Sequence, residues 1–131
     1  MTPLNITPYH RRHLQAVRDL LFHSNLVHTH LDWHDADAWI ESSEATARLA
    51  WHRGQLVGVM GFSQPVNGAC WVRLAAVREF FYDHESVLCE LWDDLVKEVK
   101  PQGVELVALL VVRNWISRYA PALGFSYVED I

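Results

Sequence analysis

Residues 28–34 read His28-Thr-His-Leu-Asp-Trp-His34, so three imidazoles and one carboxylate alternate with Thr29, Leu31 and Trp33. In an extended stretch alternate residues share a side, which would send His28, His30, Asp32 and His34 the same way. An imidazole that titrates near neutrality, beside a carboxylate, can relay or accept a proton. The same set is chemically able to hold a metal ion. The plainest alternative is that Leu31 and Trp33 anchor a loop while the histidines face water.

Other reactive side chains are more scattered. Cys70 and Cys89 lack the spacing of a metal knuckle or a redox pair and are expected to be reduced packing residues. Trp39, Trp51, Trp71, Trp92 and Trp115 fall on stretches expected to face a core, where an indole packs more often than it binds. Asp93 and Asp94 are expected on the solvated side of a helix. Arg73 and Arg78 are the cations nearest the end of a long apolar strand.

Composition limits what these residues can serve. The chain has 131 residues, half of them hydrophobic and 21% charged, enough for one domain with a real core. A net charge of −5 gives no general attraction to nucleic acid or to anionic membranes. With no apolar run long enough for a membrane span and no secretory core behind Arg11 and Arg12, a cytoplasmic location is expected.

The elements that must position these groups can be read from periodicity. Residues 6–9 suit a short strand, and residues 11–23 an amphipathic helix with Leu14, Val17, Leu20 and Leu21 inward. The histidine-bearing loop follows, then a short helix over residues 35–42. Residues 46–52 and 56–62 flank Arg53-Gly54-Gln55 as an antiparallel hairpin, and a turn at Pro65-Val-Asn-Gly68 leads to a third strand over residues 70–77. Ser86 is a suitable N-cap for a helix to about Lys100, with Leu88, Leu91, Trp92, Leu95 and Val99 as its apolar stripe. Pro101 and Gly103 stop it. Residues 104–112 hold one polar residue in nine, the mark of a strand covered on both faces. That strand should run parallel to residues 70–77 through a right-handed crossover. A helix stopped by Gly124 is expected after Trp115.

Strand, helix, Leu123-Gly124-Phe125, strand, preceded by Leu49-Ala-Trp-His-Arg-Gly-Gln-Leu-Val-Gly58 in the hairpin, resembles the GNAT superfamily of N-acetyltransferases over residues 6–131. The resemblance implies an α/β fold with a mixed central sheet, helices on both faces, and direct attack of an amine on a thioester. It places acetyl-CoA after Val77 and beside Val111, where two parallel strands splay apart. The backbone of Ala75, Ala76 and Val77 would then meet the acyl group, with Arg78 and Asn114 as further cofactor contacts. Tyr119 would be the acid that protonates the departing thiolate, one position before Ala120, where many family members carry that tyrosine. In such domains the loop between the first two helices covers the acceptor pocket. His28, His30 and Trp33 would contact the substrate there, and His30 or Asp32 would act as base.

Departures from the family pattern define a second expectation. The pyrophosphate loop, residues 78–86, has no glycine and holds Glu79, Asp83 and Glu85 at the positive end of a helix dipole. The family's usual final strand is expected to be missing before Ile131, which leaves three explanations open: a piece of a tandem protein, a strand from a second copy, or local closure. The first function expected is thus an acyl-CoA-dependent N-acetyltransferase of a small amine. The alternative is a catalytically degenerate GNAT-like module in a homodimer or beside a second GNAT-like domain. The histidine string is also similar to the zinc motif of metallo-β-lactamase-like hydrolases, but Trp33 stands in place of its last histidine and no glycine pair follows, so no metal is expected.

Overall fold

A computed structural model describes residues 3–29, 36–42, 45–81, 83–109 and 115–126. The elements run β1 (Asn5–Pro8), a 3-10 turn (Arg11–His13), α1 (Leu14–His23), β2 (Val27–Thr29), α2 (Ala36–Ile40), β3 (Thr46–His52), β4 (Gln55–Phe62), β5 (Ala69–Val77), α3 (His84–Val99) and β6 (Leu106–Ala108). Two further 3-10 turns, Trp115–Arg118 and Ala120–Leu123, end the described chain.

The sheet follows the order β1-β3-β4-β5-β2, and β6 also pairs with β5. All pairings are antiparallel except β5 with β6, which is parallel as the helical crossover requires. The β3–β4 hairpin turns at Arg53 and Gly54, both with positive φ (51° and 78°). That is the geometry of a two-residue turn whose twist matches its strands.

Helices cover both faces. On one side α1 and α2 bring Val17, Leu20, Trp39 and Ile40 against Leu49, Val59, Leu74 and Ala76. On the other, the α3 stripe of Val87, Leu88, Leu91, Leu95 and Val99 packs on Met60, Phe62, Val72 and Ala75. Two glycines in β4 set how closely these layers approach. A Cβ on Gly58 would stand 2.3 Å from Val87 Cγ1, and one on Gly61 would stand 2.7 Å from the Trp39 ring.

Several expectations are corrected at this level. The helix cap is Asp83, whose Oδ1 accepts from the Ser86 amide at 3.3 Å, so α3 begins before Ser86. No single helix spans Trp115 to Gly124, because Pro121 cannot donate an amide and the segment splits into two 3-10 turns. Gly124 still ends it, at φ 98°. Trp71 is not a core residue: the indole stays 38% exposed. In the stretch expected to be covered on both faces, the described strand is Leu106–Ala108 and Leu106 is 60% exposed. Asp94 is not simply solvated, since Arg48 of β3 bridges it and Glu98, each at 2.7 Å, and so ties the sheet to α3.

Candidate functional site

The C-terminal end of β5 is where the sheet departs furthest from the expected pattern. One edge of β5 is filled by β4, from Val72 opposite Phe62 to Val77 opposite Gly58. The other edge is shared. Its start, from Ala69 to Trp71, pairs with β6, and its end pairs with β2 in the register Val27–Ala76, His28–Ala75 and Thr29–Leu74. Sequence reading placed residues 27–29 in a loop, since three residues carry no alternation long enough to mark a strand.

The contact continues past the ladder. The Val77 amide donates to the Leu26 carbonyl at 3.0 Å. Ser24 Oγ donates to the Val77 carbonyl at 2.6 Å and accepts from the Leu26 amide at 3.0 Å. The Ser24 hydroxyl thus does for Val77 what a strand amide would do. Because hydrogen-bonded pairs alternate along an antiparallel ladder, the pair after Leu26–Val77 is His28–Ala75. The backbone groups of Ala75 and Val77 that the resemblance reserves for the acyl donor are therefore turned toward residues 24–29.

His28 is brought to the candidate site. It lies directly opposite Ala75 and is only 3% exposed, so it does not face solvent. His30, Asp32, Trp33 and Asn114 lie outside the described residues, as does His34. Among the described residues no group of three or more His, Cys, Asp or Glu side chains is placed to hold a metal ion.

Beyond Val77 the chain turns toward β4. The Arg78 amide donates to the Val57 carbonyl and its Nε donates to the Leu56 carbonyl, both at 2.8 Å. Residues 79–83 then lead to α3 with Phe80 90% exposed. At the helix start, negative charge gathers. Burial first, and then Asp83 and Asp93, push the Glu90 carboxyl up. The Cys89 thiol is pushed up by burial and by Glu85, Asp93, Asp83 and Glu90. Both cysteines are free thiols, Cys70 buried and Cys89 half-buried.

Tyr119 caps the second C-terminal 3-10 turn and stands edge-on to His84 (6.4 Å between ring centres) and to Trp115 (6.3 Å). His84 is itself tethered to the loop, its Nε2 3.1 Å from the Glu79 carbonyl. Tyr119 thus meets the first residue of α3. Sequence reading missed His84, and only the fold could bring the two together, because no spacing links positions so far apart in the chain.

The raised Glu90 carboxyl has a measurable consequence. A folded-state value above the unfolded one means that ionised Glu90 opposes folding, and the penalty fades as pH falls through the ordinary carboxylate range. Glu90→Gln is expected to raise the melting temperature at pH 7 by up to about 2 °C and to have no effect near pH 4. Paired thermal melts at the two pH values check this.

No protein-family model and no curated protein matches the sequence. Solved structures do match. Aminoglycoside N-acetyltransferase AAC(6')-Iy in complex with CoA is 20% identical with a TM-score of 0.74, over 100% of this chain and 93% of that one. The chain has the GNAT fold. The ribosomal-protein-S18-alanine N-acetyltransferase from Escherichia coli is 15% identical with a TM-score of 0.73, over 97% of this chain and 80% of that one. A transcriptional regulator from Bacillus halodurans C-125 is 11% identical with a TM-score of 0.75, over 98% and 96% of the two chains. The GNAT fold accounts for the mixed sheet and its covering helices. No described helix is long and apolar enough to cross a membrane.

In this arrangement the GNAT site is closed to acyl-CoA by the chain's own residues. The β5 edge that would hold the donor is paired with residues 24–29. At the α3 N-terminus, where a pyrophosphate would need donors, the Ser86 amide already donates to the Asp83 carboxylate. A second concavity of about 480 Å³, lined in part by His10, Arg12, His13 and Trp51, opens by β1 and β3, with β4 between it and β5. It is no substitute for the β5 edge.

Proposed function

We propose that this chain is an acyl-CoA-dependent N-acyltransferase that acetylates a small amine. The observation that carries the reading is the divided edge of β5. A parallel strand holds its start, its end is held by three residues and a serine hydroxyl, and α3 opens immediately beyond. A second structure of AAC(6')-Iy, in complex with a bisubstrate analog, CoA-S-monomethyl-acetylneamine, supports an amine acceptor on this fold. In this reading Ala75 and Val77 hold the acyl donor by their backbone, Ala76 between them turns its own backbone to β4, and Arg78 and Asn114 lie near the donor. Tyr119 handles the proton on the leaving side. His30 and Asp32 handle the proton on the amine, and His28 and Trp33 line the acceptor pocket.

A specific observation favours a second reading, a degenerate GNAT-like module that takes no acyl-CoA. Residues 78–86 contain no glycine, and Asp83 puts a carboxylate where a pyrophosphate would need donors. Calorimetry of the purified chain with acetyl-CoA separates the two. The acyltransferase reading expects saturable heat, and release of free CoA thiol when a panel of primary amines is supplied. No heat and no thermal shift at millimolar acetyl-CoA, with the β5 edge freed as well as covered, would favour the module instead.

A further inference from the structure

We propose that residues 24–29 form an internal strap that competes with the acyl donor for the same backbone edge of β5, so that donor binding requires the strap to peel away. The inference rests on the acyltransferase reading, since it concerns regulation of that site.

A strand edge presents each residue's N–H and C=O once, on one side only. On the outer side of β5, the Val77 amide is engaged by the Leu26 carbonyl and the Val77 carbonyl by the Ser24 hydroxyl. Ala75 faces His28 one pair further along. An extended donor lying along residues 75–77 needs those same groups, and two ligands cannot share one amide. Binding is therefore exclusive.

The strap is built to be closed but not permanent. It is three residues of ladder, flanked by a serine that turns its hydroxyl inward where a regular strand would use an amide. His28 is buried beneath it at 3% exposure, while Asn25 is exposed and Leu26, Val27 and Thr29 are half-buried. A pairing of only three ladder residues can open locally without global unfolding. Its N-terminal anchor is firm, because the Ser24 amide still closes the last turn of α1 on the Leu20 carbonyl at 3.0 Å. The strap thus hinges at the end of α1, and the donor's apparent affinity is reduced by the fraction of time the edge is covered.

Ser24 is the residue to test, because its hydroxyl makes two of the strap's hydrogen bonds and lies outside the proposed proton-transfer and acceptor groups. Ser24→Ala is expected to tighten acetyl-CoA binding by roughly fivefold, the effect of losing the one of these two bonds that ties the strap to β5. Hydrogen exchange on the wild-type chain tests the same idea without a substitution. Saturating acetyl-CoA should speed exchange of the His28 amide, which the ladder turns toward Ala75, at least about tenfold while the amides of Ala75 and Val77 stay protected. If acetyl-CoA binds and the His28 amide keeps its protection, the strap is overturned and the acyltransferase reading stands. The strap is likewise overturned if Ser24→Ala, folded by its melting curve, binds no tighter than wild type. Absence of binding by both wild type and Ser24→Ala would be a failure of the acyltransferase reading itself, and the strap would have no donor to exclude.

Discussion

Gly58→Val is expected to lower stability by about 3 kcal/mol, roughly 10 °C in melting temperature, and to abolish any donor binding at the end of β5. Even the first added carbon would sit 2.3 Å from Val87 Cγ1 and 3.2 Å from Leu91 Cδ1, both on fully buried side chains of α3. Val87 cannot step aside cheaply, since a β-branched residue in a helix is held to one rotamer. The helix must therefore lift from the sheet. Gly58 is the strand partner of Val77, so the strain falls directly under the turn that leads from β5 into α3. Chemical denaturation measures the first effect and calorimetry with acetyl-CoA the second. A variant as stable as wild type would show that α3 does not approach β4 this closely.

Phe62→Ala should cost still more, about 4 kcal/mol, the usual effect of emptying a phenyl-sized site in a core. The ring is fully buried and meets Trp92 of α3 edge-on at 5.4 Å, and Trp92 in turn contacts Phe125 at 4.9 Å. Through Trp92, the Phe62 ring links the sheet to α3 and to the segment after Gly124. Removing it leaves Trp92 with a cavity on one side, so the near-ultraviolet circular dichroism and the tryptophan emission should change together with stability. A loss below about 1 kcal/mol, or an unchanged indole signal, would contradict this packing.

How far the sequence could be read depended on the length of each signal. The β3–β4 hairpin was legible because two apolar runs flank Arg53 and Gly54, whose positive φ values the turn requires. The α3 stripe was legible because Leu88, Leu91, Leu95 and Val99 repeat at helical spacing, and all four are buried. Ser86 looked like the cap since it precedes the stripe, yet Asp83 holds that place because its carboxylate reaches the Ser86 amide. The C-terminal helix failed on Pro121, a local rule outweighed by the pull of the family pattern. The strand at residues 27–29 was beyond reach, because what makes it a strand is the half-edge of β5 left open past β6. Of the candidate site, Ala75, Ala76, Val77 and His28 were named from sequence and are neighbours in space. Their being hydrogen-bonded partners was not foreseen.

The strap also bears on how the molecule assembles. Ser24 and Val77 are 53 residues apart in sequence, whereas β3 and β4 are joined by a tight turn. Closing so long a loop costs entropy that only later contacts offset, so local hairpins form first and the β2–β5 pairing comes late. Before that step the chain has its central sheet but an open β5 edge, with Ala75 and Val77 presenting unpaired amides and carbonyls. An edge in that state can accept a strand from a neighbouring molecule as readily as its own. In the folded chain residues 24–29 cover that edge, so weakening Ser24 is expected to raise the tendency of refolding chains to pair with one another.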